Sequence, residues 1–498
     1  MKNRKKIIEK YVDSHFQFFS SCQKRIALHR TLFLQLFLLS FFIEAGLTAC
    51  TDKEVTLQVA TYSPADPSLP VTATTFKPAS GGMGTRLFIS GSNFGTDKTL
   101  INVTVGGQKA NIISSNGSEI YCLVPRLAKE GTVAVEIKNP DGTVIGTAEC
   151  EDKFDYEANS VVVTLCGVVS ERGEHSINDG PLAEAGWNYP TKILLDTLHG
   201  RRDLYVIEEQ NSIRKIDLDA GMVSTVISKD EGFWQDPREL SWSADGDTLF
   251  VADNQSNEES PGVHFAVRKN SFKPAEPYII KNEVRTVAVN PVDGNVFYSF
   301  GHTSECFRVA WSEEEDRRVG VSVCKAPWEG WSEIGGLYFH PEGKYVYFIV
   351  NSKNQIWKAD YDFETGDIGD LRLFAGKADG ERGYAEGVGT KAEFAYPAQG
   401  CFVKNPEYVK AGKNDVYDFY FTDCDNHCIR KMTPEAAVTT FAGRGSWSTD
   451  ERVDGYIDGD LRQTARFKNP LGIAYEESTS TFYIADKNNY RIRMIMLE

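Results

Sequence analysis

Phe482-Tyr-Ile-Ala-Asp486, followed by Asn489-Tyr-Arg-Ile492-Arg493, is a passage that returns twice elsewhere in the chain. An apolar run of strand length ends in an acid, a short polar turn carries an Asn, and a second run brings Ile-Arg. The same order stands at Phe419-Tyr-Phe-Thr-Asp423 with Asn426-His-Cys-Ile429-Arg430, and at Leu204-Tyr-Val-Ile-Glu208 with Asn211-Ser-Ile213-Arg214. Looser copies are Leu249-Phe-Val-Ala-Asp253 and Val346-Tyr-Phe-Ile-Val350. A second signature, Ala-x-aromatic-x-x-Pro, precedes each full copy: Ala185-Gly-Trp187-Asn-Tyr-Pro190, Ala392-Glu-Phe394-Ala-Tyr-Pro397 and Ala465-Arg-Phe467-Lys-Asn-Pro470. Upstream of each lies an acidic-Gly turn, at Asp179-Gly180, Glu386-Gly387 and Asp458-Gly459.

Four short strands repeating at about 50 residues are the mark of propeller blades. With the strand after each Pro innermost, first strands open near Pro190, Pro237, Val284, Glu333, Pro397 and Pro470, which predicts six blades over residues 158–498. The last copy supplies three strands, ending at Arg491-Ile-Arg-Met-Ile-Met496. Val161-Val-Val-Thr-Leu-Cys-Gly167 matches Val438-Thr-Thr-Phe-Ala-Gly443 and is expected to supply the fourth, closing the ring without an open edge. Together these motifs resemble NHL-repeat propellers.

Upstream, Arg86–Ser90, Ile101–Val105, Glu119–Val124 and Thr132–Lys138 alternate or run apolar between Gly and Asn-Pro-Asp-Gly turns, as hairpins require. The span 65–157 fits an immunoglobulin-like sandwich. Gly84-Thr85, Ile89-Ser-Gly-Ser-Asn-Phe-Gly95, Val105-Gly-Gly107, Val124-Pro125 and Asn139-Pro-Asp-Gly142 resemble the IPT/TIG family, whose members act as spacers or binding modules. The fold class expected is therefore all-β, a sandwich followed by a closed six-bladed propeller.

Leu32–Ile43 is an apolar run too short to span a bilayer, which needs about 20 residues. Lys24, Arg25 and Arg30 precede it and small residues follow, the layout of a secretory signal. Leu47-Thr-Ala-Cys50 resembles a bacterial lipobox, which implies that residues 1–49 are a signal peptide and that Cys50 is acylated. Thr51-Asp-Lys-Glu54 is similar to the surface-export signal of Bacteroidetes lipoproteins; residues 51–80 are rich in Thr, Pro, Ser and Ala, with Pro64, Pro67, Pro70 and Pro78, and residues 50–64 read as a spacer. The anchor expected is this lipid alone, in the outer membrane and at the cell surface.

The 498 residues carry a net charge of −16, which argues against nucleic acid as a partner. Residues 1–49 hold eight Lys and Arg against three Asp and Glu, so the remainder holds 46 against 67. An acidic body suits a neutral or basic glycan better than a sulfated one, unless basic patches reverse this locally. Cysteine spacing suggests Cys122–Cys150 and Cys306–Cys324 as candidate disulfides, though spacing cannot fix connectivity.

Strand alternation puts the loops entering each blade on the same face as the loops joining its second and third strands. That face carries the long insertions, and loops on a rigid scaffold are where binding sits. Trp234, Trp328, Trp331 and Trp447 lie in these insertions and are candidate stacking platforms for sugar rings, or packing that tethers the loops. Polar candidates nearby are Glu171, Arg172, Asp179, Asp379, Arg382, Glu386, Arg444 and Asp458. The recurring Glu208, Asp253, Asp423 and Asp486 read as turn caps bonded to the following Asn or to backbone N–H groups. Cys424-Asp-Asn-His-Cys428 repeats the ordinary hairpin, so neither metal nor cofactor is expected, and no nucleophile elbow, zinc helix or phosphate loop is visible. The whole combination is similar to lipoproteins of Bacteroidetes polysaccharide-utilisation systems. It implies a non-catalytic binder of polysaccharide or oligosaccharide, accessory to uptake and partnered by an outer-membrane transporter complex. A propeller enzyme acting on carbohydrate, using His427 or a metal, and a protein-binding scaffold are the alternatives.

Overall fold

Alternating apolar positions build two sheets between Thr72 and Tyr156 in the computed structural model. It describes residues 63–497 except 126–127, 129, 158–159, 171, 209–211, 233, 302–304, 328–331 and 446–452. One sheet orders Thr72–Lys77, Arg86–Ser92, Glu119–Leu123 and Asn111–Ser115; the other centres on Val144–Tyr156, Gly131–Lys138 and Ile101–Val105. Ile101, Val103 and Val105 are buried while Asn102 and Thr104 are half-buried, so one face of the strand is committed to the core. Leu87, Ile89, Phe94, Ile120, Val133, Val135 and Phe154 complete that core. Gly91 is required by a close approach, since a Cβ there would stand 1.9 Å from the Thr72 carbonyl oxygen.

Neither candidate disulfide is formed. Cys122 and Cys150 are buried thiols of the sandwich core, and Cys306 opposes Cys324 across two paired strands, again as thiols. They pack as small apolar side chains. Burial pushes the Cys122 thiol up to about 12.

From Val161 to Met496 the strands form six sheets of four or five strands among the described residues. Their first strands are Pro190–Asp196, Pro237–Trp242, Val284–Val289, Gly336–Phe339, Pro397–Lys404 and Pro470–Glu476. Second strands such as Asp203–Glu208, Tyr345–Val350 and Thr481–Asp486 are buried at every residue. Their sequences are correspondingly apolar on both faces, because a central strand packed between neighbouring sheets has no solvent side.

Successive first strands touch in turn, and Pro470–Glu476 touches Pro190–Asp196. That last contact is tight: a Cβ on Gly472 would lie 2.5 Å from the Thr191 carbonyl oxygen. Val161–Cys166 pairs antiparallel with Arg491–Met496, with Val161 opposite Met496 and Thr164 opposite Arg493. At the periphery Arg202, from the first sheet, holds Glu476 of the sixth through both carboxylate oxygens, at 2.5 and 3.0 Å. Among the described residues no helix is long and apolar enough to cross a membrane.

Burial alone would raise the Glu476 carboxyl, but hydrogen bonds from Arg202, Tyr483, Thr479 and Ser478 hold it down at about 2. A carboxyl lowered in the folded state contributes stability in full above its unfolded value, near 4.5, and loses it as pH falls through 2. Arg202→Ala is expected to cost about 2 kcal/mol at pH 7, less than the loss of a fully buried pair because Arg202 is partly exposed and three hydroxyls remain on Glu476. The difference from wild type should shrink between pH 4.5 and 2. Thermal melts across that range check it, and a pH-independent difference would show that the pair contributes nothing through charge.

Candidate functional site

The recurring acids of the second strands meet the recurring arginines of the third. In the sixth sheet Arg493, fully buried, donates to Asp486 at 2.9 Å, to the carbonyls of Arg466 and Ile457 at 3.0 Å, and to Asp458 at 2.5 Å. Asn489 bridges Asp486 and the Gly455 carbonyl. The fifth sheet repeats the arrangement: Arg430 donates to Asp423 at 3.2 Å and to the Ala385 carbonyl, and Asn426 bridges Asp423 and the Gly383 carbonyl. In the first sheet Arg214 holds Glu208 at 3.0 Å, Asp179 at 2.8 Å and two carbonyls, over the Trp187 ring. Burial pushes the three carboxyls above the usual range, Asp423 to about 6, with each arginine pulling the other way.

These networks absorb three of the residues expected at a ligand. Asp179, Glu386 and Asp458 accept the backbone N–H of Thr225, Thr440 and Thr164, at 2.8, 2.8 and 3.1 Å. Each of those threonines lies opposite the buried arginine of its sheet. The acidic-Gly turn therefore fastens the outermost strand, and Thr164 holds in the sixth sheet the place that Thr225 and Thr440 hold in the first and fifth. Turn capping by the acids is found at Asp423 and Asp486, each bonded to an Asn and to a backbone N–H.

Trp234 offers no ring face to a ligand. It is 2% exposed, packs edge-on against His264, and stands three residues before Pro237 as Trp187, Phe394 and Phe467 stand before theirs. The aromatic-x-x-Pro spacing was the signal, hidden by the missing Ala. Arg172 and Arg444 are exposed; Arg382 reaches inward, 3.0 Å from Asp425. Trp328, Trp331, Trp447, Glu171, Cys50 and the proposed leader lie outside the described residues.

Five of the six first strands carry a register shift just after they begin, between Pro190 and Ile193, Pro237 and Glu239, Val284 and Thr286, Pro397 and Gly400, and Pro470 and Gly472. A bulge re-aims a side chain out of the alternation. The bulged positions, among them Lys192, Arg238, Arg285 and Leu471, line one cavity of about 370 Å³. Entry-loop residues Glu333, Tyr396 and Asn469 line it too, with Asn351, Asp425 and Lys487 from the turns joining second and third strands. The loops that alternation assigns to one face thus converge on one hollow.

The cavity is charged. Lys192, Arg238, Arg285, Arg382 and Lys487 line it against Asp236, Glu333 and Asp425. Arg238 pairs with Asp236, and Arg285 with Glu333 at 3.4 Å. Its floor is a buried cross-link: Lys192 donates to Glu239 at 2.7 Å, Tyr338 to Glu239 at 3.3 Å, and Gln399 bonds both the N–H and carbonyl of Ile193. Beyond that floor a second, largely apolar hollow of about 420 Å³ is lined by the far ends of the same strands. Tyr396 and Asn469 each precede a Pro with φ of 58° and 51°, the left-handed region, a strained arrangement at the cavity wall. Half-buried Tyr189 and Tyr490, with His175 stacked 3.5 Å from Tyr490, flank Lys487, whose Nζ sits 5.8 Å over the Tyr189 ring.

Two groups with catalytic potential are committed otherwise. Burial pushes the Cys424 thiol up to about 12, so it is protonated at neutral pH. His427 accepts a hydrogen bond at Nδ1 from the Asn469 N–H, and burial lowers its pKa. Among the described residues no cluster of His, Cys, Asp and Glu could hold a metal ion.

The geometry defines a class: an all-β chain joining an immunoglobulin-like sandwich to propeller-type sheets around a polar hollow. Residues 71–156 match the IPT/TIG domain. An auxiliary nutrient binding protein of Bacteroides thetaiotaomicron is 34% identical with a TM-score of 0.64, over 87% of this chain and 99% of that one. Another from Bacteroides ovatus is 31% identical with a TM-score of 0.65, over 88% and 100%. NHL repeat-containing protein 2 of Bos taurus is 24% identical over 342 residues, 64% of this chain and 40% of its own length. The chain spans two-fifths or less of the curated relatives it matches. It belongs to the family those two Bacteroides proteins represent, with an IPT/TIG domain followed by an NHL-type propeller.

Removing the arginine of a buried pair strands a charge and costs about 3–5 kcal/mol. Arg493→Met is expected to cost in that range and Asp458→Asn about 1 kcal/mol, whereas Arg172→Ala and Arg444→Ala, exposed, should stay within about 0.5 kcal/mol. Denaturant unfolding of the four variants checks the ranking; a neutral Arg493→Met would remove the network from the account of stability.

Proposed function

We propose that the chain is a non-catalytic surface lipoprotein that binds polysaccharide or oligosaccharide through the cavity-bearing face of a six-bladed propeller, as an accessory to nutrient uptake. In this reading residues 1–49 are a signal peptide, Cys50 carries the lipid that holds the protein in the outer membrane, residues 50–64 are a spacer and residues 65–157 an IPT/TIG sandwich. Residues 158–498 are then the propeller, closed by Val161–Cys166. The observation that carries it is the hollow at the ends of the bulged first strands, walled by hydrogen-bonding side chains and flanked by tyrosine rings, a combination suited to hydroxyls and pyranose C–H faces. The names of the two Bacteroides relatives, auxiliary nutrient binding proteins, support binding over turnover. An outer-membrane transporter is the partner such a role calls for.

Affinity electrophoresis of the purified protein through a panel of polysaccharides tests the reading. Retention by at least one glycan is expected, weakened by Trp328→Ala, Trp331→Ala or Trp447→Ala if those rings are stacking platforms, and unaffected by chelator. Turnover of a panel member that is lost on changing His427 would make the protein an enzyme. A co-purifying outer-membrane protein with no glycan retained would make it a scaffold. Cys50→Ala should move the protein from the membrane fraction to the soluble one.

A further inference from the structure

Arg238 and Arg285 occupy the same step of adjacent first strands, one residue past Pro237 and Val284, where the register shift turns each toward the cavity. Each is bound to a single carboxylate, Asp236 and Glu333 respectively. A guanidinium has five N–H donors. The Nε of both arginines is buried without an acceptor among the described residues and lies too deep for a ligand to reach, so what each offers the cavity it lines is the rest of its guanidinium. Tyr396 and Glu333 line the same cavity as the two arginines. Five cationic side chains and three carboxylates line this hollow, with a fourth carboxylate, Glu239, beneath it on Lys192, which leaves one cation in excess in a chain of net charge −16. Positive charge gathered in a concavity of an acidic protein focuses attraction on a small anion while the surrounding surface repels an extended one.

We propose that this cavity binds the carboxylate of an acidic sugar, a uronic acid residue of a glycan, held by the guanidinium groups of Arg238 and Arg285 that line it. The proposal rests on the glycan-binding reading and names its ligand class. A carboxylate is favoured because the planar fork of a guanidinium matches it bidentately. About 370 Å³ is at the small end of ligand pockets, so the hollow takes the end of a glycan and not a run of chain.

The test is binding of the full chain in detergent to oligosaccharides of polygalacturonate, alginate and glucuronoxylan, each beside its carboxyl-reduced form, and to a sulfated galactan. At least one uronate should bind about tenfold or more tightly than its reduced form, and weaken with added salt. Arg238→Gln and Arg285→Gln should each remove about tenfold of the affinity for the acid form and much less of that for the reduced form, with melting temperatures reporting separately the cost of leaving Asp236 or Glu333 without its arginine. The comparison of acid with reduced ligand needs no variant, so a variant that fails to fold does not spoil it. Equal affinity for acid and reduced forms overturns the proposal while glycan binding stands. Tighter binding of the sulfated galactan overturns the carboxylate assignment. Failure of every uronate overturns it as well, and the neutral members of the panel then decide separately whether glycan is bound at all.

Discussion

A guanidinium sealed in protein with a carboxylate is the constraint on which the sheets of this molecule depend. Arg214, Arg430 and Arg493 are fully buried, and an unpaired charge at such a position costs several kcal/mol. Each therefore dictates where its neighbours must be. The second strand must deliver an acid and the entry loop must deliver carbonyls, and for Arg214 and Arg493 the acidic-Gly turn delivers a second carboxylate. That second carboxylate also takes the N–H of the threonine opposite the arginine, so one charge ties three strands and two loops together. Where the arginine is replaced the unit loosens: in the second sheet His264 stands in its place, 3.9 Å from Asp253.

The same dependence explains why the hollow is placed as it is. The acids close the second strands through backbone N–H groups just upstream of each first strand, at Asn188, Gln235, Ala395 and Lys468. That fixes the entry point of the first strand but not its pairing further on, and the strand recovers register through a bulge. The bulged residue is turned out of the sheet toward the axis and is free to vary, since the network does not use it. Threonine, lysine, arginine, alanine and leucine all occur there. A clamp that recurs in three sheets, beside a bulged position whose residue differs from sheet to sheet, lets the cavity wall change with the fold unchanged.

The sandwich and the repeated sheets were legible because period and punctuation are properties of single strands. The first strands open at Pro190, Pro237, Val284, Pro397 and Pro470 as the sequence reading has them, and the fourth, placed near Glu333, begins at Gly336. The site was much less legible. Asp179, Glu386 and Asp458 looked like loop carboxylates because their partners lie 35 to 54 residues away, Arg214 for Asp179, Arg493 for Asp458 and the Thr440 N–H for Glu386. Trp234 looked like an insertion residue because the repeat around it lacks its Ala. Arg238 and Arg285 went unread for a different reason: alternation predicts where a regular strand points, and a bulge is a departure from alternation that leaves no periodic trace. The Pro-Arg pair at 237–238 was the available hint.

Charge shows most plainly how local geometry overrides composition. Summed over the chain, acids outnumber bases by 16, and by that sum alone an anionic ligand is the least suitable partner. Yet screening limits exposed charges to about 8–10 Å at physiological ionic strength, so distant surface acids count little at the bottom of a hollow. What acts there are the side chains in the wall, and a partly desolvated arginine acts far more strongly than an exposed carboxylate. The buried carboxylates of the networks are likewise spent on their own arginines and present little net field. Acidity of the whole chain and basicity of the cavity wall are thus separate properties, the second set by Lys192, Arg238 and Arg285 on three of the bulged strands and by Arg382 and Lys487 from the loops.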